Sequence, residues 1–263
     1  MKFTVITLFP ELIDAFLSSG LLGQARDKGV VSVATLNPRE FTEDVHQTVD
    51  DRVFGGGDGM VMKVEPLARA VASIDPDRRH VSVLTPQGRR WMQDDARTWA
   101  QSGKHQVLVC GRYAGIDQRF SVLHAQDEIS LGDFILNGGE VAACALIESV
   151  TRLLPGALGN RTSALRDSFD GERLECPQFT RPREVGGLPV PAPLLSGNHA
   201  KIAEFEGAVA LVRTLRLRPE LVRKPIDIEA SLRLLGDLAE PELRSLGLCA
   251  ADLEQVRGAY RAR

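Results

Sequence analysis

The sequence predicts an α/β protein with a parallel sheet in its first half and a small all-helical domain at its end. Three observations carry this. Short β-branched runs alternate with amphipathic stretches up to about residue 153, the pattern of a parallel sheet with crossover helices. Periodicity then dissolves between Pro155 and Pro193 into turn and linker chemistry (PGALGN, SFDGE, CPQFTRPRE, GGLPVPAP). After Ser196-Gly197 the apolar residues return at helical spacing, as Ile202, Phe205, Ala208, Val209 and Val212.

In chain order, residues 2–8, 30–36, 81–84 and 106–110 read as strands, and residues 10–28, 65–74, 92–102 and 139–153 as helices. Pro10 suits a first helical turn and Gly29 a helix end. The expected layout is an α/β domain over 1–160, a flexible linker over 161–195, and a helical domain over 196–263 that ends in an extension of shorter helices.

Composition narrows the class further. The chain has 263 residues, 43% hydrophobic and 25% charged, so it buries a core and is neither disordered nor fibrous. No apolar run is long enough for a membrane span or a secretory signal, which predicts a cytoplasmic protein without a membrane partner. Four scattered cysteines without a C-x-x-C predict reduced thiols and no zinc site. The formal net charge is −3, yet residues 151–225 carry more basic than acidic side chains. Within them Arg213, Arg216, Arg218, Arg223 and Lys224 form a run that suits either a solvated helix face or contacts to phosphates.

Four glycine-rich stretches exceed the needs of a plain fold: VDDRVFGGGDGMVM (49–62), LTPQG (84–88), CGRYAGID (110–117) and SLGDFILNGGE (130–140). The last three sit at the carboxyl ends of expected parallel strands, where open α/β sheets bind ligands. Glycines there admit close backbone approach to a flat nucleoside. Phosphate-loop and dinucleotide fingerprints both fail, because GGGDG has no following Gly-Lys-Ser/Thr and lacks the G-x-G-x-x-G spacing. Taken singly, Asp167, Arg152 and His46 read as a loop carboxylate, a helix-end cation and a surface histidine.

Taken together and in order, LFPE, HQTVDD, GGGDGMVM, LTPQG, CGRYAGID, ISLGDFILNGGE, PGALGN, DSF, FTRP and LSGNHAKI resemble the bacterial tRNA (guanine-37-N1)-methyltransferases of the TrmD type, in the SPOUT superfamily. The resemblance spans roughly residues 1–225. It implies a parallel sheet with a deep C-terminal trefoil knot, a homodimer, and S-adenosyl-L-methionine held in the knot loops. It implies tRNA as partner through the anticodon stem-loop, with no DNA partner. The reaction implied is methyl transfer to N1 of guanosine 37 in tRNAs with guanosine at position 36, which prevents frameshifting.

By position, the resemblance places cofactor contacts on Leu84, Thr85, Pro86, Gly88, Gly111, Tyr113, Gly115, Ser130, Leu131, Gly132, Asp133, Leu136, Gly138 and Gly139. It makes Asp167 the catalytic base and Arg152 its supporting cation. His46, Asp50 and Arg112 fall near the substrate base, and Arg213, Arg216 and Arg218 on the RNA backbone. Magnesium dependence is also implied, and no ligand cluster in the sequence identifies a metal site. The chain departs from the family pattern at Ala114, where CGRYEGID has glutamate, and at Val53, Phe54 and Asp58 within PYGGGPG. Competing readings are a knotted methyltransferase for another RNA site, an RNA-binding protein without catalysis, and a metabolic nucleotide-binding α/β protein.

Overall fold

A computed structural model of the chain describes residues 1–158, 167–224 and 226–261. The expected domain boundary at 160 and the start of the linker, 161–166, lie outside the described residues. The chain divides into two units, Met1–Ala164 and Leu165–Arg263.

The first unit is built on a five-stranded, fully parallel sheet in the order β2-β1-β6-β5-β7. Its strands are β1 (Lys2–Ile6), β2 (Ser32–Leu36), β5 (Arg79–Arg90), β6 (His105–Cys110) and β7 (Asp127–Ser130). A separate antiparallel hairpin pairs β3 (Asp50–Arg52) with β4 (Met60–Met62). Helices α1 (Pro10–Leu17) and α2 (Gly20–Asp27) follow β1, and α3 (Val64–Ala72) follows the hairpin. Next come α4 (Gln93–Ser102), α5 (Gln118–His124) and α6 (Glu140–Thr151).

Side-chain alternation explains why this sheet is covered on both faces. Along β1, Phe3 and Val5 enter one apolar core while Ile6 enters the other; along β6, Leu108 and Cys110 oppose Val107 and Val109. All six residues of β6 are buried, as the central strand requires. Leu108 is fully enclosed, so Leu108→Ala is expected to cost about 2–5 kcal/mol, read as a lower urea midpoint at unchanged slope.

Three local outcomes differ from the sequence reading. The expected helix over 10–28 is two helices, broken at Ser18-Ser19 before Gly20, whose φ of +63° only glycine adopts without strain. β7 and α5 were not among the predicted elements; β7 is four residues long and opens with two acids, so it carries no apolar alternation. GGGDG forms the tip of the β3–β4 hairpin.

The second unit has its own core. It centres on α7 (His199–Leu217) with α8 (Glu229–Gly236), α9 (Glu240–Ser245) and α10 (Ala250–Arg261), and includes Phe205, Leu232, Leu235, Leu246 and Leu253. Asn198 caps α7 by accepting from the N–H groups of Ala200 and Lys201. A short hairpin, β8 (Glu184–Val185) with β9 (Leu188–Pro189), precedes α7, and Cys176, Phe179 and Leu194 from this stretch pack into the core. No helix among the described residues is long and apolar enough to cross a membrane.

Candidate active site

Three loops, the excursion of residues 85–88 within β5 and the segments after β6 and β7, enclose a cavity of about 470 Å³. Each loop is shaped by a different backbone device. In β5, Leu84 and Arg89 both register against Ile129 of β7, so residues 85–88 leave the sheet and return to the same partner. That excursion turns Thr85, Pro86 and Gln87 into the cavity. After β6, Tyr113 at φ +60° and Gly115 at φ +122° fold residues 111–116 tightly, and the hairpin edge pins them: Ala114 N–H donates to Met60 O at 2.9 Å and Met62 N–H to Gly115 O at 3.0 Å. After β7, Gly132 N–H donates to Ser130 Oγ at 3.1 Å, and the chain then passes Gly138 and Gly139 into α6.

Glycines set the spacing of these walls. Gly139 N–H donates to Gly111 O at 3.1 Å, and a Cβ on Gly139 would lie 2.7 Å from Cys110 Cα. Gly138 is equally crowded, against the Arg112 side chain, whereas a Cβ on Gly111 would make ordinary contact with Ile116 at 3.5 Å. The lining combines apolar Leu84, Ile116, Leu131 and Leu136 with polar Thr85, Gln87, Gln118, Ser121, Glu128 and Ser130. An apolar slot with a few polar groups suits an adenosyl group with its ribose hydroxyls, and the volume lies in the range of small-ligand sites. Above this floor Cys110 is sealed in; burial first, and the Glu140 carboxylate second, push its thiol well above the ordinary range, so it stays protonated.

Twelve of the expected cofactor residues line the cavity: Leu84, Thr85, Pro86, Gly111, Tyr113, Gly115, Ser130, Leu131, Gly132, Leu136, Gly138 and Gly139. Gly88 and Asp133 do not. Gly88 packs its α-carbon against the Glu128–Ile129 backbone, where any Cβ would collide, so it permits the excursion rather than facing a ligand. Asp133 is exposed and pairs with Arg90 at 2.6 Å. Sequence reasoning missed Gln87, Gln118, Ser121 and Glu128; two of these ride on the unpredicted α5 and one on the unpredicted β7.

The remaining expected site residues are distributed as follows. His46 is exposed on the loop before β3, and Asp50 opens β3 opposite Met62. Arg112 lines the cavity mouth, but its guanidinium is held by Glu140 at 2.9 Å and lies over the Phe9 ring at 4.3 Å. Arg152 follows α6 in the first unit, whereas Asp167 belongs to the second. There Asp167 lines a cavity of about 400 Å³ with Arg173, Glu175, Cys176, Gln178 and Glu206. Among the described residues no three His, Cys, Asp or Glu side chains gather as a metal-binding set.

The basic run is partly engaged within the second unit. Arg213 donates to the Leu246 carbonyl, Arg216 donates to Gly247 O at 3.0 Å and pairs with Asp252 at 2.6 Å, and Arg218 pairs with Glu220 and lies over Phe169. Arg213 and Arg216 thus tie α7 to the α9–α10 turn and Arg218 pairs within its own loop, each using only part of its N–H donors; Arg216, Arg223 and Lys224 are the exposed members of the run. Burial opposes ionisation of Asp252, yet the hydrogen bond from Cys249 and the Arg216 charge outweigh it, leaving the carboxyl below its ordinary range. A depressed carboxyl stabilises the fold above its unfolded value and loses that contribution as the pH falls through the folded one. Arg216→Ala is expected to cost about 1–3 kcal/mol of second-unit stability, measured by urea unfolding.

Comparison with known proteins agrees with this geometry. Residues 1–224 match the model of the family described as tRNA (Guanine-1)-methyltransferase TrmD. A tRNA (guanine-N(1)-)-methyltransferase of Geobacter sulfurreducens is 46% identical over 226 residues, covering 85% of this chain and 92% of the relative. Proteins with the same description from Shewanella woodyi (44% over 239 residues; 90% and 96% covered) and Carboxydothermus hydrogenoformans (45% over 223 residues; 85% and 88% covered) are similar throughout. With its sheet, its three glycine-walled loops and this match over most of its length, the chain belongs to the tRNA (guanine-1)-methyltransferase TrmD family.

Proposed function

We propose that the protein transfers a methyl group from S-adenosylmethionine to N1 of a tRNA guanosine, at position 37 of the anticodon loop and in the cytoplasm. The observation that carries this is the cavity walled by the β5 excursion and the loops after β6 and β7 in a chain of this family. When bound, S-adenosylmethionine supplies an already activated methyl group. The residues of the chain must then orient it and make guanine N1 nucleophilic.

Leu84, Ile116 and Leu136 are suited to enclose the adenine, and Glu128 with Gln118 to receive hydroxyl groups. Guanine N1 carries a proton and attacks only as that proton leaves. Asp167 is the acceptor in this reading, and Arg152 offsets the charge gathering on O6. A free carboxylate, with a reference pKa of about 3.9, is too weak to deprotonate N1 beforehand, so proton and methyl move together. The anticodon loop is single-stranded, so its base is splayed out at modest cost. Arg223 and Lys224 hold phosphates, which makes affinity fall with salt.

Two structural readings belong to the same proposal. The passage of residues 130–139 beside both Gly111 and the Cys110 backbone supports the trefoil knot. The exposed apolar line Phe9, Leu12 and Phe16 along α1 supports a homodimer. The function is tested by labelled methyl transfer to unmodified tRNA bearing guanosines 36 and 37, beside a transcript changed at 37. Label confined to the first RNA is expected; label on neither RNA, or equally on both, rejects the assignment.

A further inference from the structure

We infer that Glu140 is a positioning residue for the methyl-donor site, acting through Arg112 and Thr7 to fix the spacing of the two loops that face each other across the cavity. The inference rests on the reading of that cavity given above. Glu140 is the first residue of α6, where a carboxylate complements the helix dipole. That role is filled by an exposed glutamate, and Glu140 is only 3% exposed. Burying a carboxylate is costly unless partners surround it, so its burial calls for a further reason.

The partners are specific. Oε1 accepts from Thr7 Oγ1 at 2.7 Å and from Arg112 Nε at 3.2 Å, while Oε2 lies 2.9 Å from Arg112 Nη2 as an ion pair without hydrogen-bond alignment. Arg112 also donates through Nη1 to the Asn137 carbonyl at 3.4 Å, and its far side stacks on Phe9 at 4.3 Å. Three segments therefore meet on one carboxylate: the end of β1, the loop after β6 and the approach to α6. The guanidinium crosses directly over Gly138, where a Cβ would lie 2.6 Å from Arg112 Cδ, and Arg112 and Gly138 form an isolated β-bridge. Neither Thr7 nor Glu140 lines the cavity, whereas Arg112, Asn137, Gly138 and Gly139 all do. Glu140 thus holds the wall without touching what the wall holds.

The test uses the full-length protein with calorimetric titration of S-adenosylmethionine and steady-state kinetics. Glu140→Gln keeps the shape and one acceptor but removes the charge that orders Arg112. It is expected to raise the Kd and KM for the methyl donor about tenfold, with KM for tRNA within about twofold and kcat within about threefold. Thr7→Val removes the hydroxyl that donates to Glu140 and accepts from the Phe9 N–H, at a site outside the cavity, and is expected to raise the donor Kd about threefold. A residue serving only the fold would lower the unfolding midpoint and leave the donor Kd unchanged in the folded protein. That result, or an equal rise in KM for both substrates, overturns the inference. If Glu140→Gln does not fold, Thr7→Val decides by the same criterion. If the unaltered protein fails to bind the donor, the reading of the cavity falls, and the inference with it.

Discussion

Asp167→Asn is expected to slow methyl transfer by about 10²–10⁴-fold while the affinity for S-adenosylmethionine stays within twofold. The amide has the size of the carboxylate but cannot take the N1 proton, and Asp167 is not among the residues that line the donor cavity. Single-turnover transfer at saturating tRNA measures the step itself, and donor titration measures binding. An unchanged rate removes Asp167 from the base role. Its neighbour Cys176 does not substitute for it: burial above all, then the Glu206 charge, pushes that thiol up to about 12, so at neutral pH it is neither a base nor a competing methyl acceptor.

Gly139→Ala is expected to damage both the stability of the first unit and donor binding. The new Cβ meets Cys110 Cα at 2.7 Å, Cys110 Cβ at 3.0 Å and Leu84 Cβ at 3.2 Å, and the first of these is backbone of the buried central strand. The loops after β6 and β7 must separate to admit it. Overpacking of this kind costs about 1–3 kcal/mol, and the displaced walls are those of the cavity proposed for the donor, so the donor Kd is expected to rise more than tenfold. Urea unfolding and calorimetry check the two effects. Gly258→Ala is the control, since a Cβ there meets nothing within 4 Å and α10 gains about 0.5–1 kcal/mol of helix propensity.

Legibility in the sequence followed the physics of each element. β1 and β6 were readable because both faces of a buried parallel strand are apolar, so Phe3-Thr4-Val5-Ile6 and Val107-Leu108-Val109 stand out as runs. β7 was not, because Asp127 and Glu128 mask a strand whose pairing is set by β5 from more than forty residues away. The glycines of the three loops were visible as a group, and most of the residues around them proved to share one cavity. Gly88 lies outside the lining, against the Glu128–Ile129 backbone; sequence shows that a glycine is needed but not whether a ligand or a neighbouring backbone demands it. The α7 arginines have internal partners that were illegible for a related reason. Their charge is local, but their partners Leu246, Gly247 and Asp252 lie some thirty residues further on, beyond the stretch with motifs. Glu140 escaped notice because a glutamate at a helix start already has an ordinary explanation.

The departure of residues 85–88 from β5 has a thermodynamic consequence. Both ends of that loop, Leu84 and Arg89, register against the single residue Ile129, so its closure is completed when the sheet assembles. The loop's disorder is surrendered during folding, not at the moment of ligand capture, and association need not supply that entropy again. Substitutions that leave this registry intact will therefore change how long the ligand stays more than how fast it arrives.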